Sequence, residues 1–249
     1  MIRTSSIWIG TSNLVLRETK SNFPGEHHAS SRLRYYSGLF NSVEINSTFY
    51  RLHRPSTFES WSNDVDNGFT FSVKLWREIT HAKGLAFREE DVHRCLSTWR
   101  FSVQTKGGLL VQFPASVKVS QMMTVERMLA LIQRNNSNGE WRVCVEFRDK
   151  GWYNSEVFSM LSKHGVSLVM HDMPKSGMID SKADFPTVYL RFHGVNGDYR
   201  GSYDRHYLDE IGDLIKDWAL AGKYVYVYFN NTLGTAYEDA RYLASLRDR

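Results

Sequence analysis

Short apolar runs alternate with amphipathic stretches along almost the whole chain. Eight runs read as strands. They lie near Ile7–Gly10, Ser42–Asn46, Phe69–Lys74, Leu109–Phe113, Val143–Phe147, Ser167–His171, Val188–Phe192 and Tyr224–Phe229. Each is short, rich in β-branched or aromatic residues and bounded by turn formers, which is the strand signature. Between most of them the apolar positions recur with a helical period. Tyr207, Leu208, Ile211, Leu214, Ile215 and Trp218 form one stripe, with Asp204 to cap its start and Gly222 to end it. Val157, Phe158 and Leu161 form a shorter one between Asn154 and Gly165. Val125, Met128, Leu129 and Ile132 form a third, Val92, Cys95, Leu96 and Trp99 a fourth, and Ala236, Ala240 and Leu243 mark the last.

Eight strands separated by helices imply parallel pairing through helical crossovers. A chain of 249 residues fits a closed (β/α)8 TIM-type barrel, which typically takes about 250 residues as one domain. The expected organisation is therefore a single barrel domain over residues 1–249. No Gly-x-Gly-x-x-Gly follows the first strand, which argues against an open dinucleotide-binding sheet. One unit is irregular: the segment between strands six and seven contains Pro174, Gly177 and Pro186, and no regular helix is expected there.

Composition narrows the setting. No apolar run approaches the roughly 20 residues of a membrane span, and the first residues lack the apolar core of a signal peptide. A cytoplasmic protein without a membrane partner is expected. The two cysteines, Cys95 and Cys144, lie in apolar surroundings without Cys-x-x-Cys spacing, so they are read as buried thiols. Lys and Arg number 31 against 27 Asp and Glu, for a net charge of +4. The excess sits in residues 1–54; the rest is balanced. A modest positive charge permits an anionic partner without requiring one.

The chemistry gathers at the strand ends. Side chains alternate along a strand, and TIM-type barrels place their sites at the C-terminal mouth. Strand two ends Val43-Glu44-Ile45-Asn46, strand three Phe71-Ser72-Val73-Lys74 and strand five Val145-Glu146-Phe147-Arg148. Strand seven ends Leu190-Arg191-Phe192-His193, and strand eight Val227-Tyr228-Phe229-Asn230, with Asn231 next. Gln112 falls near the end of strand four and Asp172 just past strand six. Buried charges are costly unless paired. Recurrence of such groups at one level in seven strands therefore points to a polar mouth, beyond what pairs such as Glu44–Lys74 and Glu146–Arg191 would need.

These strings also carry a resemblance. Ile9-Gly10-Thr11-Ser12, Val43-Glu44-Ile45-Asn46-Ser47-Thr48-Phe49-Tyr50-Arg51 and Phe69-Thr70-Phe71-Ser72-Val73-Lys74 are followed by Ile79-Thr80-His81 and Val111-Gln112-Phe113-Pro114. Then come Val145-Glu146-Phe147-Arg148 with Trp152, Tyr189-Leu190-Arg191-Phe192-His193-Gly194, and Tyr226-Val227-Tyr228-Phe229-Asn230-Asn231-Thr232. In this order they resemble the YecE-like family, also called DUF72, over nearly the whole chain. The resemblance implies a TIM-type barrel and no particular reaction. One departure is visible: where the family usually has Gly and an aromatic residue after Thr11-Ser12, this chain has Asn13-Leu14.

The preferred expectation is an enzyme acting on a small phosphate- or carboxylate-bearing molecule at the mouth. Its acid–base chemistry would be of hydrolase or of isomerase or lyase type. Glu44, Glu146, His193 and Asp172 are the candidate catalytic groups. Lys74, Arg148 and Arg191 would bind the anion. Asn46, Gln112, Asn230 and Asn231 would orient the substrate, with Tyr50, His81 and Trp152 close to it. Glu44, Glu146, Asp172 and His193 are also plausible metal ligands, but three neighbouring cations oppose a metal, and none is expected. The sequence names no cofactor. Two other readings remain: a nucleic-acid-binding or phosphodiester-cleaving protein, from the basic first 54 residues and the aromatics, and a non-catalytic metabolite-binding protein.

Overall fold

A computed structural model describes residues 6–100, 106–136, 139–177, 179 and 184–247. Its eight parallel strands are β1 (Ile7–Thr11), β2 (Ser42–Ile45), β3 (Thr70–Lys74), β4 (Lys106–Phe113), β5 (Arg142–Phe147), β6 (Ser167–His171), β7 (Thr187–Phe192) and β8 (Tyr224–Phe229). The first four helices are short: α1 (Arg32–Ser37), α2 (Ser47–Tyr50), α3 (Pro55–Asn63) and α4 (Arg77–Thr80). The rest are α5 (Glu89–Arg100), α6 (Met122–Asn135), α7 (Ser155–Lys163), α8 (Arg205–Leu220) and α9 (Ala236–Arg247). The expected caps form: Asn154 accepts from Val157 N–H at 3.0 Å, and Asp204 from His206 N–H at 2.9 Å. Between β6 and β7 no described residue is helical. Among the described residues no helix is long and apolar enough to cross a membrane.

The strand order β1-β8-β7-β6-β5-β4-β3-β2 brings β1 and β2 to the two edges of one sheet, and these edges nearly close into a (β/α)8 barrel. One parallel bridge, Ser12 to Glu44, joins them directly. Side chains complete the seam. The Asn41 amide accepts from Ile9 N–H at 2.9 Å and donates to Ile7 C=O at 2.8 Å. The Tyr36 hydroxyl accepts from Thr11 N–H at 2.8 Å and donates to Ser42 C=O at 3.2 Å. Backbone groups that would otherwise be orphaned at a sheet edge are thereby satisfied.

Outward strand residues pack against the helices in one large apolar layer. The barrel interior holds a second, smaller cluster of Leu110, Cys144, Val169, Tyr189, Tyr226 and Tyr228. Both cysteines are free and buried, and burial pushes the Cys95 thiol up to about 12. The interior has little spare room. A Cβ added at Gly108 would lie 2.3 Å from the Tyr189 ring. Gly108→Ala should therefore destabilise by about 1–3 kcal/mol through overpacking. The check is the urea midpoint, and a loss within about 0.5 kcal/mol, as for a surface change, would reject it.

Candidate functional site

Alternation along the strands carries one row of side chains up the barrel interior to its C-terminal end. Glu44 from β2, Glu146 from β5 and Arg191 from β7 meet near the axis, each at most 1% exposed. Arg191 Nε and Nη2 donate to the two Glu44 oxygens at 2.9 and 2.8 Å, a fork-on-fork contact. Its Nη1 donates to Glu146 Oε2 at 2.7 Å. Glu44 accepts two more bonds, from Ser12 Oγ at 2.6 Å and Tyr189 Oη at 2.7 Å. The other Glu146 oxygen accepts from Arg148 Nε.

The guanidiniums win against burial. Burial alone would raise both carboxyls, but Arg191 holds Glu44 below the usual carboxylate range, and Arg148 and Arg191 hold Glu146 well below it. The expected Glu146–Arg191 pair is present. Glu44 pairs with Arg191 rather than with Lys74, because the two lie on the same interior level while Lys74 reaches towards the mouth.

His193 Nε2 lies 3.0 Å from Arg148 Nη2 and 3.1 Å from Arg191 Nη1. Both neighbours can only donate, so Nε2 accepts and the proton resides on Nδ1, 3.3 Å from Asp172 Oδ1. Burial is the largest influence lowering this imidazole to about 4, with the arginines adding to it and Asp172 opposing. Asp172 also accepts from His193 N–H at 2.7 Å and from the Tyr203 hydroxyl. It lines a separate cavity of about 300 Å³ with Tyr203 and Tyr207.

Above this layer opens a cavity of about 610 Å³. Its polar wall is Asn13, Asn46, Lys74, Gln112, Arg148, Arg191 and Asn230; Phe49, Tyr50, Pro114, Tyr199 and Leu233 supply apolar surface. Lys74 Nζ donates to Gln112 Oε1 at 2.8 Å and sits 4.1 Å from the centre of the Phe49 ring. The side-chain oxygen of Asn46 is buried without a partner among the described residues. His81 stands behind Phe49, edge-on at 4.8 Å, and burial and the Lys74 charge lower it to about 4.

Not every expected site residue lines the cavity. Glu44, Glu146 and His193 do not line the cavity. The two carboxylates are ion-paired with the arginines, and the His193 ring nitrogen is held between the two guanidiniums. Trp152 is buried against Phe147, stacked at 4.2 Å, with its N–H donated to Val117 C=O at 2.9 Å. Asn231 turns away from the mouth and donates to Asp239 Oδ2 and Gly201 C=O, each at 3.0 Å. Among the described residues no group of three or more His, Cys, Asp or Glu side chains is placed to hold a metal ion.

Sequence reasoning missed Ser12 and Tyr189 as site residues. Tyr189 lies two residues before Arg191, so strand alternation was its signal. Tyr199 lines the mouth from a loop, at φ 66°. In the first loop Asn13 stands at φ 65°, the left-handed region that Gly and Asn tolerate best. Its amide oxygen accepts from Asn46 N–H at 3.2 Å.

The profile described as protein of unknown function DUF72 matches residues 8–249. The chain belongs to the DUF72 family. The UPF0759 protein YunF of Bacillus subtilis (strain 168) is 23% identical over 248 residues, covering 86% of this chain and 85% of YunF. The crystal structure of a DUF72 family protein from Thermotoga maritima MSB8 superposes with a TM-score of 0.79 at 23% identity, covering 98% of this chain and 99% of the other. A DUF72 family protein from Enterococcus faecalis V583 gives a TM-score of 0.77 at 18% identity, covering 98% and 96%. At these identities the likeness of DUF72 structures speaks for the fold alone.

Proposed function

We propose that this DUF72 protein is an enzyme that binds a small molecule carrying a carboxylate or phosphate in the barrel mouth and acts on it there. One observation carries the reading. Arg148 and Arg191 are fixed from below by Glu44 and Glu146, so their planes are set before any ligand arrives. Arg148 Nη1 has no protein partner among the described residues, and both guanidiniums reach the cavity wall. Prepositioned donors bind an anion without the entropy cost of ordering a free side chain.

The two guanidiniums balance the two glutamates. Lys74 is then the cationic side chain of the wall that no described carboxylate pairs. The amides of Asn46, Gln112 and Asn230 supply orientation, and Tyr50 and Tyr199 supply apolar contact at the rim.

Inorganic phosphate and short carboxylates are expected to raise the melting temperature. At a hundredfold excess over Kd the gain is about 2.7 kcal/mol, or about 5–10 °C for a chain of this size. Arg148→Gln should weaken the same anions by about 10–100-fold, the worth of a charged hydrogen bond. If no anion stabilises the wild type, the reading falls. A short single-stranded oligonucleotide serves as a control. Tighter binding to it, falling steeply with salt, would put nucleic acid in place of the small anion. Tight binding of a metabolite without turnover would leave a binding protein in place of an enzyme.

A further inference from the structure

Lys74 is the one primary amine among the described residues lining the mouth. It ends β3 beside the two clamped guanidiniums, yet no described carboxylate lies within ion-pair distance of it. Its Nζ donates to a neutral amide oxygen, Gln112 Oε1, at 2.8 Å. The Phe49 ring covers one side, 4.1 Å away. Burial and the Arg191 charge, opposed by Glu146 and Glu44 and helped by Arg148, lower this amine to about 8. At neutral pH it therefore carries on the order of a hundredfold more free base than an ordinary lysine near 10.4. An amine meant only to bind an anion gains nothing from that. An amine that attacks carbon needs its lone pair.

We propose that Lys74 Nζ forms an imine with the carbonyl carbon of a small substrate whose carboxylate or phosphate is held by Arg148 and Arg191. The inference rests on the anion-binding reading of the same cavity and names the substrate class: a carbonyl compound with an anionic group a few atoms away. The neutral amine donates its electron pair to the carbonyl carbon. A C–N bond forms, the C=O π pair moves onto oxygen, and that oxygen receives the proton the nitrogen gives up. The hydroxyl of the resulting carbinolamine takes one proton from solvent and leaves as water. The nitrogen pair closes the C=N bond, giving a protonated imine. Nothing is oxidised or reduced.

Borohydride trapping of the full chain tests this. Pyruvate, glyoxylate and glycolaldehyde phosphate are the anionic carbonyl probes, and acetone is the uncharged control. The hydride converts the protonated imine to a stable secondary amine, read as a mass increase and located by peptide mapping. Label from at least one anionic probe is expected on Lys74 on the order of tenfold faster than on exposed lysines, and slowly with acetone. Lys74→Arg keeps a cation but removes the nucleophile, and this label should vanish from its peptide map. Mapping on the wild type needs no variant to fold.

Label spread evenly over surface lysines, or none on Lys74 with all three anionic probes, overturns the imine. The phosphate melting shift is read on the same protein. If phosphate binds and Lys74 is not trapped, the imine fails alone. If phosphate does not bind, the anion reading fails, whatever the trapping shows.

Discussion

Arg191→Met is expected to destabilise the protein by about 3–5 kcal/mol, the cost of leaving a buried charge unpaired. For a chain of this length that is about 6–20 °C of melting temperature. The expected size follows from geometry. The side chain is 1% exposed, and its guanidinium holds Glu44 through two bonds and Glu146 through a third. Methionine fills much of the volume and leaves both carboxylates without their shared partner. Arg148 still reaches Glu146, so Glu44 becomes the more exposed electrostatically.

The loss should also depend on pH in a particular sense. Without the arginine, burial raises the Glu44 carboxyl above its unfolded value, so the variant regains stability as pH falls and that carboxyl protonates. Paired melting curves for wild type and variant over a pH series would show the gap narrowing on the acid side. A gap under about 1 kcal/mol, the range of exposed ion pairs, would sink the account of the buried cluster.

The wild type should lose stability in acid, starting well above the carboxylate range. In the folded state the His193 imidazole protonates only near 4, against 6.5 for an ordinary histidine. Between those values the unfolded chain binds a proton that the folded chain refuses, so stability falls as pH falls. At about 1.4 kcal/mol per unit the loss is on the order of 3 kcal/mol. His81 and His171, also lowered, act with the same sign. Glu44 and Glu146 then extend the loss below 4.5, because their stabilisation is complete above the unfolded value and disappears as they protonate. The charged groups facing His193 are Glu146 on β5, Arg148 just past its end, Arg191 on β7 and Asp172 after β6. His193→Gln removes the titration and should flatten the slope between 6.5 and 4. An NMR titration placing the His193 imidazole near 6.5 would contradict the account.

Much of this was legible in the chain itself. Strand alternation put Glu44, Glu146, Arg191 and Lys74 on the interior face, and the repeated polar strand ends marked the mouth. The same rule explains why Asn231 turns from the mouth. It follows Asn230, which lines the cavity, and an extended chain sends neighbours to opposite sides. Trp152 is placed away from the cavity for another reason. It lies past the strand, in a short 3-10 turn (Lys150–Trp152) that folds back and buries the ring against Phe147.

The sequence by itself determined the barrel, its strand count, its irregular sixth unit and the set of polar residues carried to one end. Periodicity is local, and hydrophobic burial reads it directly. Only the tertiary structure decided which of those residues line the cavity and which face each other. That division depends on distances between strands far apart in sequence. Arg191 reaches both Glu44 and Glu146, at 2.8 and 2.7 Å, from a third strand. Once Arg148 and Arg191 together balance Glu44 and Glu146 in the interior, the mouth is left with the edges of the two guanidiniums and Lys74.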